Sequence, residues 1–247
     1  MLRNYLLVAL RNIRRHKAYS FINISGLVIG LACTFFIMLW VQDEMSYNTY
    51  LKDQEDVYRV MRHATFGGTK GTSSSMPKPI VQVLRDEYPE FTQTTLASWQ
   101  MGMVLSRETD ASRADGRYFG SDVFHILKFP LFAGDPDNAL LDPESIAISE
   151  ALAIRYFGEA WQADPQLIGS TFRLDNKRDV RLTAIFEDIP PNSTLAFDFM
   201  LPMESYIREN DWVERWDNNG LMIYARLGDG TDPEVVSAKI KGLINDH

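Results

Sequence analysis

Four histidines are the side chains in this sequence with the most versatile chemistry, since an imidazole can bind a metal or transfer a proton near neutral pH. They are His16, His63, His125 and His247. None has another histidine or a cysteine at a spacing typical of metal ligands. The pattern therefore favours surface or half-buried histidines, and we expect no metal site, no bound cofactor and no catalytic residue among them.

Two further segments resemble catalytic motifs only in composition. Residues 67–72 read Gly-Gly-Thr-Lys-Gly-Thr, but they lack the Gly-x-x-x-x-Gly-Lys-Ser/Thr spacing that surrounds a nucleotide phosphate, and no clear helix follows. We predict a flexible loop there. Ser145 and Ser149 lie outside a Gly-x-Ser-x-Gly turn and have no histidine nearby in the sequence, so nothing indicates a hydrolase nucleophile.

Acidic side chains are abundant but do not follow a metal-binding pattern. None of their runs has the alternating Asp-x-Asp-x-Asp-Gly spacing of a calcium loop. We interpret them as solvation of an acidic surface. The pairs and runs concerned are Asp43 with Glu44, residues 53–56, Asp135 with Asp137, and Glu187 with Asp188.

A long apolar segment near the N-terminus is the strongest structural signal. Residues 18–42 carry no charge, and residues 21–41 include twelve Phe, Ile, Leu or Val. As a helix, 25 residues span about 37 Å, which is enough to cross a hydrocarbon core of about 30 Å. At −0.3 to −0.6 kcal/mol each, the twelve side chains favour insertion by about 5 kcal/mol. We therefore predict a transmembrane helix at residues 18–42.

The flanking charges predict the orientation of that helix. Residues 1–17 contain five basic side chains and no acidic one, which places the N-terminus in the cytoplasm and everything after Gln42 outside. Between Leu2 and Ile13, apolar residues recur on one side of a helical wheel, with the basic residues opposite. This pattern predicts an amphipathic helix at residues 1–17 in the cytoplasmic headgroup region; the alternative is a short disordered basic tail.

Three other interpretations of the apolar segment compete with a permanent anchor. A cleaved secretory signal has a shorter apolar region and ends in a small-residue cleavage site, which is absent here. A lipoprotein would be lipidated at Cys33, but a further apolar run follows that residue. A buried core helix of a soluble protein fits poorly with the basic flank and with Asp43 and Glu44 directly after the segment. The permanent anchor is the preferred interpretation.

The remaining residues, 43–247, have the composition of a folded α+β domain. Their 20 Lys or Arg and 33 Asp or Glu give a formal balance of −13, which argues against nucleic-acid binding. The only cysteine lies in the predicted membrane helix, so this domain is held together by its core and not by disulfides. Predicted strands are residues 57–61, 92–99, 103–106, 145–148, 171–174, 180–186, 197–201 and 221–227. Predicted helices are residues 77–88, with Pro77 and Pro79 in the first turn, residues 121–127 and 149–157, and one that begins at Asp232-Pro233.

Several segments, taken in order, resemble the MacB/FtsX-like permeases of ABC transporters, particularly those of Bacteroidetes. The resemblance covers nearly the whole chain, as a first transmembrane helix followed by a MacB-like periplasmic core domain, with a distal lobe at about residues 90–202. The segments are LLVALRNIRRHK (6–17), FINISGLVIG (21–30), DEMSY (43–47), VYRV (57–60), ISEALAIRYFG (148–158), IG (168–169), EDIP (187–190) with NS (192–193), and FDF (197–199).

The resemblance implies a mechanical role and not an enzymatic one. Such permeases look like dimers, homodimers or permease heterodimers, that work with a cytoplasmic ABC ATPase on another chain or domain. Closure of the ATPase is transmitted through the membrane helices to periplasmic domains, which export a substrate or activate a partner, in some cases through a periplasmic adaptor. By this resemblance the chain is a non-catalytic subunit of a bacterial inner membrane, with residues 43–247 in the periplasm.

The chain departs from the family pattern after the periplasmic domain, because no second apolar run follows. We interpret it as the N-terminal portion of a permease, with the C-terminal membrane helices absent because it is a fragment, a truncated gene product or a single-pass relative. Two other classes of function remain open. One is a single-pass, membrane-anchored sensor or envelope module that binds a ligand, and the other is a membrane-tethered envelope hydrolase.

Overall fold

The computed structural model describes residues 2–51, 54–164 and 166–244. It divides into two compact units, Met1–Thr49 and Tyr50–His247. The two units differ in the burial of their apolar side chains. The first consists of two helices, the longer of which has no buried residue, and the second is a mixed α/β domain with three apolar clusters.

The first unit contains two helices, α1 (Leu2–Arg15) and α2 (Lys17–Met45), which meet at His16. Helix α2 has 29 residues, none of them buried, and it is long and apolar enough to cross a membrane. Its polar side chains bond within the helix, since Ser25 Oγ donates to the Ile22 carbonyl at 3.0 Å and Thr34 Oγ1 donates to the Gly30 carbonyl at 2.9 Å. These bonds lower the cost of placing both hydroxyls in an apolar surrounding. The predicted apolar helix is confirmed; its position in a membrane stays a prediction.

Within its described residues, the second unit has twelve strands and five further α-helices. The strands are β1 (Val57–Val60), β2 (Arg62–Phe66), β3 (Thr69–Ser73), β4 (Phe91–Ala97), β5 (Met101–Arg107), β6 (Asp110–Phe119), β7 (Leu131–Gly134), β8 (Ser145–Ser149), β9 (Thr171–Leu174), β10 (Arg178–Phe186), β11 (Phe199–Pro202) and β12 (Met222–Leu227). The helices are α3 (Ile80–Glu87), α4 (Val123–Ile126), α5 (Glu150–Phe157), α6 (Met203–Glu209) and α7 (Pro233–Lys239).

Ten of these strands form one sheet in which six strands close into a ring. The order β1-β12-β4-β6-β11-β8-β10-β9-β5 returns on itself because β5 also pairs with β6, and β7 pairs with β10. Strands β5, β6, β8, β9, β10 and β11 are therefore the ring. Strands β1, β12 and β4 extend from β6 as a wing. Closure satisfies the strand edges that an open sheet would expose.

The three apolar clusters follow this division. One face of every ring strand contributes to the first cluster, with Leu105, Ile148, Phe172 and Phe199 all fully buried. The second cluster lies on the opposite sheet face and includes Phe119. The third packs α3 and α7 against the wing. A continuous sheet thus joins the ring, residues 101–202, to the wing, and the separate distal lobe at residues 90–202 stays a prediction.

Asp175 reinforces one of the two shortest strand pairings in the ring. Only two residue pairs connect β5 and β9, Leu105 with Leu174 and Ser106 with Arg173. Next to them, the Asp175 backbone N–H donates to the Val104 carbonyl at 2.8 Å, and Asp175 Oδ1 accepts from the Val104 N–H at 2.7 Å. Asp175 has a φ of 49°, a left-handed conformation that Asp and Asn tolerate better than Ala does.

We expect Asp175→Ala to lower the free energy of unfolding by about 1–2 kcal/mol, because it removes one hydrogen bond and strains the backbone. Asp175→Asn keeps an acceptor oxygen and should cost less than about 0.5 kcal/mol. Chemical denaturation monitored by circular dichroism measures both values. Asp179→Ala is the control, since its ion pair with Arg173 at 3.3 Å is exposed; equal losses for Asp175→Ala and this control would contradict the role of Asp175.

Local sequence signals set several boundaries as predicted. Ser149 begins α5 and its side chain accepts from the Leu152 N–H, while Gly158 ends that helix at a φ of 84°. Asp232 caps α7 by accepting from the Glu234 N–H. The predicted helix at residues 121–127 is shorter, Val123–Ile126, and Asp122 precedes it in place of Ser121.

The prediction of a flexible loop at residues 67–72 is wrong. This segment belongs to a β2–β3 hairpin in which Phe66 pairs with Thr69, leaving Gly67 and Gly68 as a two-residue turn. Both glycines have positive φ, 55° and 87°, as the tight turns that join antiparallel strands require. Strands β6 and β7 and helix α6 were not predicted either.

Candidate functional site

The described histidines lie on different elements of the structure. His63 Nδ1 lies 2.9 Å from Thr72 Oγ1 on the hairpin, and His125 Nε2 lies 2.8 Å from Asp137 Oδ1. His16 separates the first two helices, and His247 lies outside the described residues. Within the part of the chain that is described, no group of three His, Cys, Asp or Glu side chains is placed to hold a metal ion.

Ser149, Asp188 and Asp135 each make a hydrogen bond to the backbone. Ser149 caps α5, and Ser145 is buried in β8 with no hydrogen-bond partner for its Oγ among the described residues. Asp188 Oδ1 accepts from the Ala151 N–H at 2.9 Å, at the start of α5. Asp135 accepts from the Asp137 N–H at 3.0 Å in a turn. These contacts position backbone and do not assemble a catalytic group.

A groove of about 710 Å³ beside α3 is the concave surface that the sequence did not reveal. One wall is the face of α3 and the residue two positions before it, carrying Lys78, Val81 and Arg85 at helical spacing. The facing wall comes from α6 and the turn after it, and includes Glu214 and Ile207. Its volume is in the range of small-molecule sites.

Two ion pairs tie α3 to its surroundings on either side of this groove. Before the helix, Lys78 Nζ lies 2.5 Å from Glu214 Oε1. In its last turn, Arg85 lies 3.2 Å from Asp122 Oδ2 and also donates to the Thr94 hydroxyl and carbonyl at 2.7 and 2.6 Å. The charged groups at the rim are thus mostly neutralised by each other, so a ligand need not carry a particular charge.

Thr95 and Gly120 form the polar part of the groove floor. Thr95 is 1% exposed and its Oγ1 has no hydrogen-bond partner among the described residues. Directly beside it, a side chain at position 120 would place its Cβ 2.6 Å from that oxygen, so glycine permits this close approach. The hydroxyl itself is buried and is not open to the groove.

This arrangement suits binding. Among the described residues that line the groove there is no histidine and no cysteine, and apolar side chains such as Leu96 and Met203 alternate with the paired charges. Sequence reasoning missed the site because its residues come from six separate segments. The only local signal was the helical spacing of Lys78, Val81 and Arg85.

Comparisons with known proteins agree with this architecture. The family model of the MacB-like periplasmic core domain matches residues 20–243. A comparison with curated proteins finds no match. Among solved structures, a domain of a protein described as a permease from Porphyromonas gingivalis has a TM-score of 0.66 at 21% identity, covering 80% of this chain and 83% of its own.

Two further solved structures share the fold at lower identity. The periplasmic region of MacB from Actinobacillus actinomycetemcomitans has a TM-score of 0.57 at 13% identity, over 79% of this chain and 87% of its own. The extracellular domain of the noncanonic ABC-type transporter YknZ from Gram-positive bacteria has a TM-score of 0.53 at 12% identity, over 77% and 93%. These likenesses confirm the fold, and the family match confirms the resemblance inferred from the sequence: the chain belongs to the MacB-like periplasmic core domain family, the periplasmic part of ABC-type permeases.

Proposed function

We propose that this chain is the N-terminal portion of a permease subunit of a MacB/FtsX-like ABC transporter. The observation that carries the proposal is that the family match begins inside an unburied, membrane-length apolar helix, Lys17–Met45, and continues through the domain that follows it. In this arrangement the helix is both an anchor and a mechanical link. The chain itself supplies no catalytic group; ATP hydrolysis takes place on a separate cytoplasmic ATPase.

The N-terminus lies in the cytoplasm and the second unit lies in the periplasm. Five basic residues before the helix and Asp43 and Glu44 at its end support this orientation, because positive charges are retained on the cytoplasmic side. Helix α1 then lies in the cytoplasmic headgroup region, where its basic face meets anionic lipid. The second unit, with its acidic surface, acts outside the membrane.

Motion of the ATPase reaches the periplasm through α2. Two copies of the permease, or two different permeases, would bring two such domains together, and their movement would export a substrate or activate a periplasmic partner. The ring supports this role, since a closed set of strands around an apolar core moves as one body and not by local unfolding. A periplasmic adaptor is the expected further partner.

Cysteine labelling tests the orientation. In a Cys33→Ser background, which removes the only native cysteine, Lys70→Cys lies on the hairpin and Asn4→Cys lies in α1. A membrane-impermeant maleimide added to cells with a permeabilised outer membrane should label Lys70→Cys, and should label Asn4→Cys only after lysis. The reverse pattern would contradict the proposed topology.

Affinity purification tests the partner. The full gene product, tagged and extracted in mild detergent, should recover an ATPase of the ABC class. Recovery should be lost when the basic residues of α1 are replaced by glutamate in a variant that no longer inserts in the predicted orientation. If no ATPase is recovered from cells that carry its gene, the permease proposal fails.

The groove beside α3 favours one alternative, a membrane-anchored module that binds a ligand in the envelope. Its volume and its apolar lining residues are typical of a binding site. That alternative requires a ligand but no ATPase, so the affinity purification separates the two. An intact ligand response in cells that lack every associated ATPase would favour the binding module.

A further inference from the structure

Arg117 is a buried charge with an unsatisfied nitrogen. It lies on β6 and is 8% exposed. Because Phe119 of the same strand belongs to the second apolar cluster and residues two apart share a face, Arg117 points to the side of that cluster. Its Nε has no hydrogen-bond partner among the described residues. An arginine stays protonated even when buried, so an unpaired guanidinium is costly and calls for a neutralising group.

The groups beside Arg117 do not provide that neutralisation. Tyr224 of β12 is 9% exposed and belongs to the second cluster. Arg59 of β1 is the direct cross-strand partner of Tyr224 and therefore shares its face. Both residues interact electrostatically with Arg117. Burial holds the pKa of Tyr224 above its ordinary value, so its hydroxyl remains a hydrogen-bond donor at neutral pH.

The nearest acidic group on the same strand face is already engaged. Asp115 lies two residues before Arg117, and its Oδ2 accepts from Gln100 Nε2 at 2.8 Å. Its backbone N–H donates to Asp198 Oδ2 at 2.8 Å. Among the described residues, the electrostatic neighbours of Arg117 are thus a second arginine and a phenol, and none is a carboxylate. The two arginines and the phenol supply positive charge and hydrogen-bond donors.

We propose that Arg117, Arg59 and Tyr224 form a binding site for an oxyanion, a carboxylate or phosphate group, on the wing side of the ring. A guanidinium presents parallel N–H donors that match the two oxygens of such a group. The Tyr224 hydroxyl donates a further hydrogen bond, and Arg59 adds a second positive charge at the exposed end. The bound anion accepts the hydrogen bonds that water would accept from Arg117 if the side chain were exposed.

The site has an unusual consequence for stability. Without an anion, the buried charge of Arg117 opposes folding, so an apolar residue of similar length should be tolerated or preferred. With an anion, wild type should gain stability by mass action, and the variant should not. The order of stability of wild type and Arg117→Met should therefore reverse between the two conditions.

Thermal unfolding of the full chain in a neutral detergent tests this ranking. Melting curves are recorded at pH 7.5 and equal ionic strength in potassium chloride, acetate or phosphate. In wild type, acetate or phosphate should raise the Tm by about 3 °C or more above its value in chloride. Arg117→Met should abolish the rise and melt in chloride at or above wild type, and Arg59→Gln should reduce the rise. Arg113→Met, on the same strand but exposed, should keep the full rise.

Added phosphatidylglycerol identifies the source of a phosphate. If the lipid raises the Tm further than inorganic phosphate does, and Arg117→Met loses this increase, the site is supported and its ligand is a lipid headgroup. If the lipid gives no further increase over inorganic phosphate, the site is supported with a soluble anion as its ligand. An unchanged Tm in all three salts would overturn the proposal, as would a rise that persists in Arg117→Met.

Discussion

Replacing Val28 and Leu31 together by arginine should release most of this protein from the membrane. Both side chains are exposed near the middle of α2. Two arginines at a helix centre cost about 5–7 kcal/mol, which exceeds the insertion energy of about 5 kcal/mol that the apolar residues supply. In sodium carbonate extraction, wild type should stay in the membrane pellet and the double variant should move to the supernatant.

A matched variant separates membrane insertion from changes in the helix itself. Val28→Leu with Leu31→Val keeps the composition of α2 and should remain in the pellet. The released Arg variant should still yield a protease-resistant fragment from the second unit, because that unit has its own core. If the double Arg variant stayed in the carbonate-resistant pellet, α2 would not be the membrane anchor.

Gly116→Ala should be the most destabilising single methyl addition within the ring. A Cβ at this position would lie 2.1 Å from Cε2 of Phe199, which is fully buried inside the first cluster. The ring cannot move away without disturbing its neighbours, so we expect a loss of about 3 kcal/mol in the free energy of unfolding. For a unit of this size the Tm should fall by about 6–12 °C.

A double-mutant cycle attributes that loss to Phe199. Phe199→Leu alone should cost about 1–2 kcal/mol through the space it leaves. Combined with Gly116→Ala, the losses should fall short of their sum by at least about 1 kcal/mol, since each change relieves the other. Gly102→Ala is the control: its Cβ would meet only the exposed, flexible side chain of Arg113. Strict additivity of the two ring variants would mean that the clash is relieved elsewhere.

The elements predicted well are those whose signals lie within a few residues. Ser149 and Gly158 bound α5 through a side-chain cap and a positive φ, and both effects act on adjacent backbone. The apolar helix α2 needed only composition and length. The family resemblance likewise followed from short segments in a fixed order, and the family match over residues 20–243 confirms it.

The elements missed are those that depend on distant partners. Strand β6 begins with a polar run, Asp110 to Arg113, that lacks apolar alternation, yet it pairs along its whole first part with β5. In the β2–β3 hairpin, the residues that flank Gly67 and Gly68 are largely polar, so the sequence pattern predicted a loop. Their strand state comes from mutual pairing and not from an apolar face.

The sequence by itself therefore determined a charge-flanked apolar helix, an acidic α+β domain and its family, because helix length, capping and charge asymmetry are encoded in neighbouring residues. Only the tertiary structure decided how β5 and β9 close the ring, how Thr95 and Gly120 form a groove floor, and how Arg59, Arg117 and Tyr224 come together. Those arrangements depend on strand register between distant segments. A register shift of one residue would turn every side chain concerned to the opposite face, and composition alone does not determine the register.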